Sequence, residues 1–184
     1  MTPQVERRYR RGLRAQLSWH PEKGGKRVWV CFDDRIVEDL GEDPGGSRFR
    51  AIAERLLSGQ YYPPDAIEFF GEYAEREGRL RVGDRILQRA TLTPFWPALA
   101  VWSMVEIWVA DCDDDHCHIG YVTTAQHHGR GVWQAELTRE DGRLKLRVES
   151  TACPNSWLFW LGLPLARGLQ LRARRRAIEE LRKL

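Results

Sequence analysis

Apolar and polar residues alternate most regularly between Trp133 and Glu149. Leu144, Leu146 and Val148 alternate with Arg143, Lys145, Arg147 and Glu149, the pattern of a strand with one dry face and one wet face. Trp133, Ala135 and Leu137 repeat it upstream, and Glu140-Asp141-Gly142 between the two runs is a hairpin turn signal. The stretch 79–151 therefore reads as a series of long antiparallel strands. Residues 99–110 differ: Leu99, Val101, Val105, Ile107 and Val109 share one face, and Trp102, Met104, Glu106 and Trp108 share the other. Neither face is clearly meant for water, so this strand is either central or turns one face into a pocket.

Elsewhere the period changes to that of a helix. Val5, Tyr9, Leu13, Gln16 and Leu17 fall on one side of residues 3–19 amid a dense series of Arg, and His20-Pro21 followed by Gly24-Gly25 ends that helix. VWVCF at 28–32 predicts a short strand, and the acidic, Gly/Pro-rich 33–46 a loop. Ser47 can cap a helix that turns Phe49, Ile52, Ala53, Leu56 and Leu57 inward. A second helix is expected after Pro63-Pro64, with Asp65 and Glu68 in its first turn. After Cys153-Pro154, Asn155 or Ser156 can cap a closing helix whose stripe runs Leu158, Leu161, Leu165, Leu169, Ala173, Ala177, Leu181. Pro164 should kink it, and at about 28 residues it would span about 42 Å.

Composition adds little about class but something about interior and charge. With 42% hydrophobic and 30% charged residues in 184, one soluble globular domain is expected. Eight Trp suggest an aromatic interior or cavity lining. No apolar run is long enough to cross a bilayer and the N-terminus lacks the apolar core of a signal peptide, so the default is cytoplasmic. Cys31, Cys112, Cys117 and Cys153 are too sparse for a disulfide framework and are expected as thiols. Residues 1–27 carry eight Arg and Lys against two Glu, and residues 155–184 seven against two. With a net charge of +3 overall, the middle of the chain is acidic. Basic ends around an acidic sheet read as solvated helix faces rather than a nucleic-acid site.

The order strand, helices, antiparallel strands, long C-terminal helix resembles the START-like, helix-grip (SRPBCC) superfamily, which includes birch-pollen-allergen-like proteins, lipid-transfer START domains and polyketide cyclases. VGDRILQR at 82–89, IGYVTT at 119–124 followed by His127-His128-Gly129, and LPLARGLQLRARRRAIEEL at 163–181 are similar to a family of that shape known only as a domain of unknown function. The resemblance covers 49–184. It implies an α+β fold in which a curved antiparallel sheet grips the long C-terminal helix, with an extra N-terminal helix. The division expected is a basic helical extension, 1–27, and a single domain, 28–184. The superfamily implies a cavity for apolar or amphipathic small molecules; some members are enzymes and many only bind. No catalytic residues carry over.

Candidate chemistry is sparse. Cys112, His116, Cys117 and His118 are ligand types zinc prefers, but neighbouring residues of a strand point to opposite faces, and a polar hairpin turn explains them better. No metal and no cofactor are expected. Glu106, if its face is inward, would be desolvated among Trp102, Met104 and Trp108 and able to act as an acid or base. His127 and His128 lie near the expected cavity mouth and could shuttle protons. Arg85, Gln88, Arg89 and Arg130 could hold a carboxylate or phosphate head group. The expected cavity lining is Trp102, Met104, Glu106, Trp108, Tyr121, Trp133, Trp157 and Trp160. Three functions remain open: a binder of a small apolar or amphipathic ligand, a cyclase or hydratase using Glu106 with a loop histidine, and a basic module for nucleic acid or acidic partners, with nucleic acid disfavoured. The sequence leaves ligand identity and oligomeric state open.

Overall fold

The computed structural model describes residues 1–20, 22, 23, 31–92, 100–155 and 163–184. In chain order its elements are α1 (Pro3–Gly12), β1 (Phe32–Glu42), α2 (Ser47–Leu57), β2 (Ile67–Phe70), a 3-10 turn (Glu72–Glu75), β3 (Arg85–Thr91), β4 (Ala100–Cys112), β5 (His116–Thr123), β6 (Gly129–Glu140), β7 (Arg143–Pro154) and α3 (Leu163–Leu181). Seven strands form one curved, unclosed antiparallel sheet in the order β1-β7-β6-β5-β4-β3-β2. This is the α+β, helix-grip architecture expected from the sequence.

The wet-and-dry alternation of β6 and β7 is realised in full. Leu137 pairs with Leu146 and Ala135 with Val148, and these side chains are completely buried on the inner face. Asp141 and Gly142 both adopt positive φ, 51° and 72°, as a two-residue hairpin loop with the sheet's twist requires. The inner face shares one core with Phe49, Ile52 and Leu56 of α2 and with Ala173, Ala177, Ile178 and Leu181 of α3. Two smaller clusters cover the outer face: Tyr9 of α1 on Leu87 and Met104, and Trp19 on Val122 and Cys153.

Several elements differ from the sequence reading. Residues 33–46 do not form a loop: β1 pairs along β7 with Phe32 opposite Ala152 and Val37 opposite Arg147. Its alternation was hidden because charges lie on both faces, with Asp34 and Glu38 half-buried on the inner side. The strand expected at 28–32 falls largely outside the described residues. The helix expected after Pro63-Pro64 is a single turn, in which the Pro63 carbonyl accepts from Ala66 and Ile67 N–H. The chain then enters β2, paired with β3; a Pro-Pro-Asp start looks the same for one turn as for a whole helix.

α1 stops at Gly12, short of Trp19, because the chain then turns along the sheet. Leu17 bridges to Thr124 and Ser18 N–H donates to the Thr123 carbonyl at 2.9 Å. The residues before α3, 156–162, lie outside the described set, and Pro164 is the second residue of α3.

Ser47 is not the cap of α2. Gly46 occupies the N-cap position with φ 69°, and the carboxylate of Asp43 accepts from Phe49 N–H at 2.7 Å and Arg48 N–H at 3.3 Å. Burial opposes that charge, but the two N–H donors and the neighbouring Arg139 and Arg48 hold the carboxyl below its ordinary range. Replacing Asp43 with Ala should cost about 1–2 kcal/mol, the value of a lost helix cap, as a lower midpoint in denaturant unfolding. An unchanged midpoint would show that α2 starts without it.

The cysteines are not thiols. They pair as Cys31–Cys153 and Cys112–Cys117, with Cα separations of 4.3 and 4.0 Å, which accounts for all four. Sheet register brings each pair together: Cys112 is the direct partner of Cys117 in β5, and Cys31 precedes the Phe32–Ala152 pair.

Candidate functional site

α3 lies across the open inner face and is tied to both rims of the sheet. On the β1 side, Asp34 receives both guanidinium ends of Arg167 and the Nη2 of Arg174 at 3.1 Å. Two helical turns further, Arg182 donates to Glu38 at 2.6 Å. On the opposite side, Arg176 makes a two-pronged pair with Asp65, 2.8 and 3.0 Å, just before β2. The basic closing helix and acidic middle of the chain, separate in sequence, neutralise one another here.

The C-terminal half of α3 packs directly into the core. Its N-terminal half stands off from the sheet, and a cavity of about 270 Å³ opens between them. The floor is the inner face of the central strands, with Gln88 and Ala90 from β3, Val101 and Ser103 from β4, and Tyr121 from β5. Tyr62, Ala66 and Ile67 close one side, and Leu169 and Ala173 of α3 form the roof. The rim carries Arg167, Arg172 and Arg176 together with His127 and His128.

The lining is apolar with a narrow polar band. Gln88 and Ser103 are cross-strand partners, and each interrupts a run of aliphatic inner-face residues. Tyr121 stacks on Trp133 with ring centroids 5.2 Å apart and planes 16° from parallel. Burial pushes its hydroxyl pKa up to about 12, so it remains protonated and able to donate. Burial also raises Tyr62, which borders the same space. His127 is enclosed by protein although part of its ring opens to the cavity. Desolvation lowers its pKa to about 4, and its Nδ1 lies 2.8 Å from the Gly129 carbonyl oxygen and 3.0 Å from the Gly129 nitrogen. A ring so shifted is neutral near pH 7 and a weak base there.

The residues singled out in sequence divide between the two faces. Tyr121, His127 and His128 line the cavity, and Trp133 lies directly behind Tyr121. Trp102, Met104, Glu106 and Trp108 are on the outer face. Met104 is fully buried beneath Tyr9, and Arg8 of α1 lies 5.4 Å over the Trp102 ring. Trp108 packs among Trp19 and Val122 and meets His118 edge-on at 5.7 Å. Glu106 is ion-paired with Arg85 at 3.0 Å, and Arg85 in turn donates to the Leu13 and Ala15 carbonyls after α1. Glu106 and His127 are therefore on opposite sides of the sheet. Arg89 pairs with Glu68 of β2, and Arg130 reaches the Pro154 carbonyl at 3.4 Å. Trp157 and Trp160 lie outside the described residues.

The outer-face histidines are engaged with side chains: His116 Nε2 is 2.9 Å from Glu136 and His118 Nε2 is 3.3 Å from Gln134. Cys112 and Cys117 are bonded to each other, and no set of three metal-ligating residues occurs among the described residues. The sequence reading missed Ser103, Tyr62 and the arginines of α3 as cavity groups. The legible signal was one polar residue inside an otherwise dry inward stripe, as Gln88 is between Ile86 and Ala90 on β3.

A family model described as a domain of unknown function (DUF1990) matches residues 18–180. No curated protein matches in sequence. Among solved structures, a hypothetical protein from Helicobacter pylori aligns with a TM-score of 0.52 at 10% identity, over 88% of this chain and 90% of its own. A protein from Thermus thermophilus gives 0.50 at 13% identity, over 82% and 97%. The di-domain ARO/CYC protein StfQ from the steffimycin biosynthetic pathway gives 0.51 at 12% identity, over 84% of this chain and 50% of its own. At these identities the likeness is one of fold.

Proposed function

Since the chain belongs to the DUF1990 family and has a helix-grip fold, we propose that it binds a small apolar or amphipathic molecule between the sheet and α3. The observation that carries this reading is the cavity itself, about 270 Å³, with an apolar lining and a few grouped polar atoms, the usual makeup of a small-ligand site. Its size, near the lower end for such sites, suits a ligand of two or three fused rings or a short chain. That StfQ, an ARO/CYC protein, shares the fold is consistent with such a ligand. With Glu106 on the outer face and His127 neutral on the inner one, a carboxylate–imidazole pair acting on one substrate has no support, and binding is favoured over catalysis. The arginines of α3 engaged by Asp34, Asp65 and Glu38 likewise argue against a nucleic-acid surface there. No helix among the described residues is long and apolar enough to cross a membrane.

Titration with fatty acids, sterols and aromatic metabolites should change the tryptophan fluorescence, because Trp133 stands directly behind the cavity wall. Ala90 is half-buried on the floor, so Ala90→Phe should fill the space and weaken binding at least roughly tenfold, equivalent to about 1.4 kcal/mol, while leaving the circular dichroism spectrum unchanged. A ligand that binds wild type and Ala90→Phe equally would place its site elsewhere, and no response to any class would sink the reading.

A further inference from the structure

Gln88 sits in the middle of β3, is 5% exposed, and lines the cavity floor. Its amide Nε2 is buried and has no hydrogen-bond partner. Gln88 comes close enough to the Tyr121 hydroxyl for a weak hydrogen bond that lowers that hydroxyl's pKa, but no bond of normal geometry satisfies Nε2. Burying an amide donor without an acceptor costs stability, and the fold could have avoided it with an aliphatic residue, as it does at Ile86 on the same face and at Val105 on β4. Violations of that kind are expected where a ligand supplies what the protein omits. The surrounding groups define the ligand further. Ser103 lies opposite Gln88 and Tyr121 beside it, both with hydroxyls able to donate. The cation behind this wall, Arg174, is only 4% exposed and already paired with Asp34. Of the arginines that line the cavity, Arg167 and Arg176 are paired with Asp34 and Asp65 and Arg172 is exposed to solvent at the rim. A carboxylate at Gln88 would therefore meet donors but no buried, unpaired cation; a neutral oxygen acceptor would meet donors alone.

We propose that Gln88 is the anchor for a neutral carbonyl oxygen, of a ketone, ester, lactone or amide, on an otherwise apolar ligand. The oxygen accepts from Gln88 Nε2, and the hydrocarbon part lies against Ala90, Val101 and Ile67. This inference rests on the cavity being a ligand site.

Equilibrium dialysis of 2-acetylnaphthalene and 2-ethylnaphthalene, nearly isosteric and differing in one carbonyl, separates the two ideas. Water solvates the ketone better, so a purely apolar cavity must favour the hydrocarbon. Wild type should instead bind the ketone about three- to tenfold more tightly, the value of one neutral hydrogen bond, and Gln88→Leu should reverse that order while still binding 2-ethylnaphthalene. Gln88→Leu or the unbranched Gln88→Met should also melt above wild type, because the orphan donor is gone. Binding of both compounds with a ratio unchanged by Gln88→Leu overturns the anchor and leaves the cavity site standing. Failure of both compounds to bind wild type removes the site and the anchor together. A fall in melting temperature in both variants would mean that the amide has a structural partner, and would overturn the proposal.

Discussion

Replacing Asp34 with Ala is expected to cost about 3–5 kcal/mol, the penalty of leaving a buried charge unpaired. Asp34 is the shared acceptor of Arg167 and Arg174, and the Arg174 side chain is only 4% exposed. Arg174 Nε already lacks a hydrogen-bond partner, so removing the carboxylate leaves the guanidinium with little compensation. The double variant Asp34→Ala/Arg174→Met should recover much of the loss, since two buried charges removed together leave none stranded. Chemical denaturation of the three proteins reads this directly, and a loss below about 1 kcal/mol in the single variant would mean a solvated pair. The pH dependence follows from the same geometry. The Arg167 hydrogen bonds, opposed by burial and aided by Arg174, hold Asp34 below its ordinary value of 3.8. A carboxyl depressed in the native state adds stability above that ordinary value and loses it as pH falls through the native one. Wild type should therefore weaken below about pH 4 more steeply than the double variant.

Gly131→Ala should be comparably damaging for a different reason. Gly131 of β6 faces Ala152 of β7, and a Cβ there would lie 2.7 Å from the carbonyl carbon of Thr151 and closer still to its oxygen. The obstacle is backbone, which cannot rotate aside, so the two strands must separate. Its N–H also donates to the Thr123 hydroxyl at 2.8 Å, and that bond joins β6 to β5 beside the cavity rim. A loss of about 3 kcal/mol or more is expected, at or beyond the upper end for overpacking. Gly45→Ala, where an added Cβ meets nothing within 4 Å, should stay within about 0.5 kcal/mol of wild type. Equal melting temperatures for the two variants would contradict the close strand approach.

What could be read in advance depended on whether one side of an element meets water. β6 and β7 have a wet face, so their alternation stood out, as did the apolar side of α2. β4 is covered on both faces, by α1 outside and by the core and cavity inside, and its sequence could not say which was which. The choice of Trp102, Met104 and Glu106 as cavity residues followed the bulkier side, whereas α1, a separate segment, determines that Met104 is covered from outside. β1 was illegible because its inward Asp34 and Glu38 are explained only by arginines more than 130 residues later. The Cys31–Cys153 pair was hidden for a similar reason, since strand register joins residues 122 apart in sequence, whereas Cys112 and Cys117 flank the polar hairpin turn that the sequence did show and face one another across it.

An unclosed sheet leaves two rims along which a strand from another molecule could add. β2 is only four residues long, too short to template much, but β1 runs for eleven. Charged residues at alternate inward positions make such a rim a poor template for intermolecular pairing. The carboxylates that hold α3 in place therefore also discourage the addition of a foreign strand along β1.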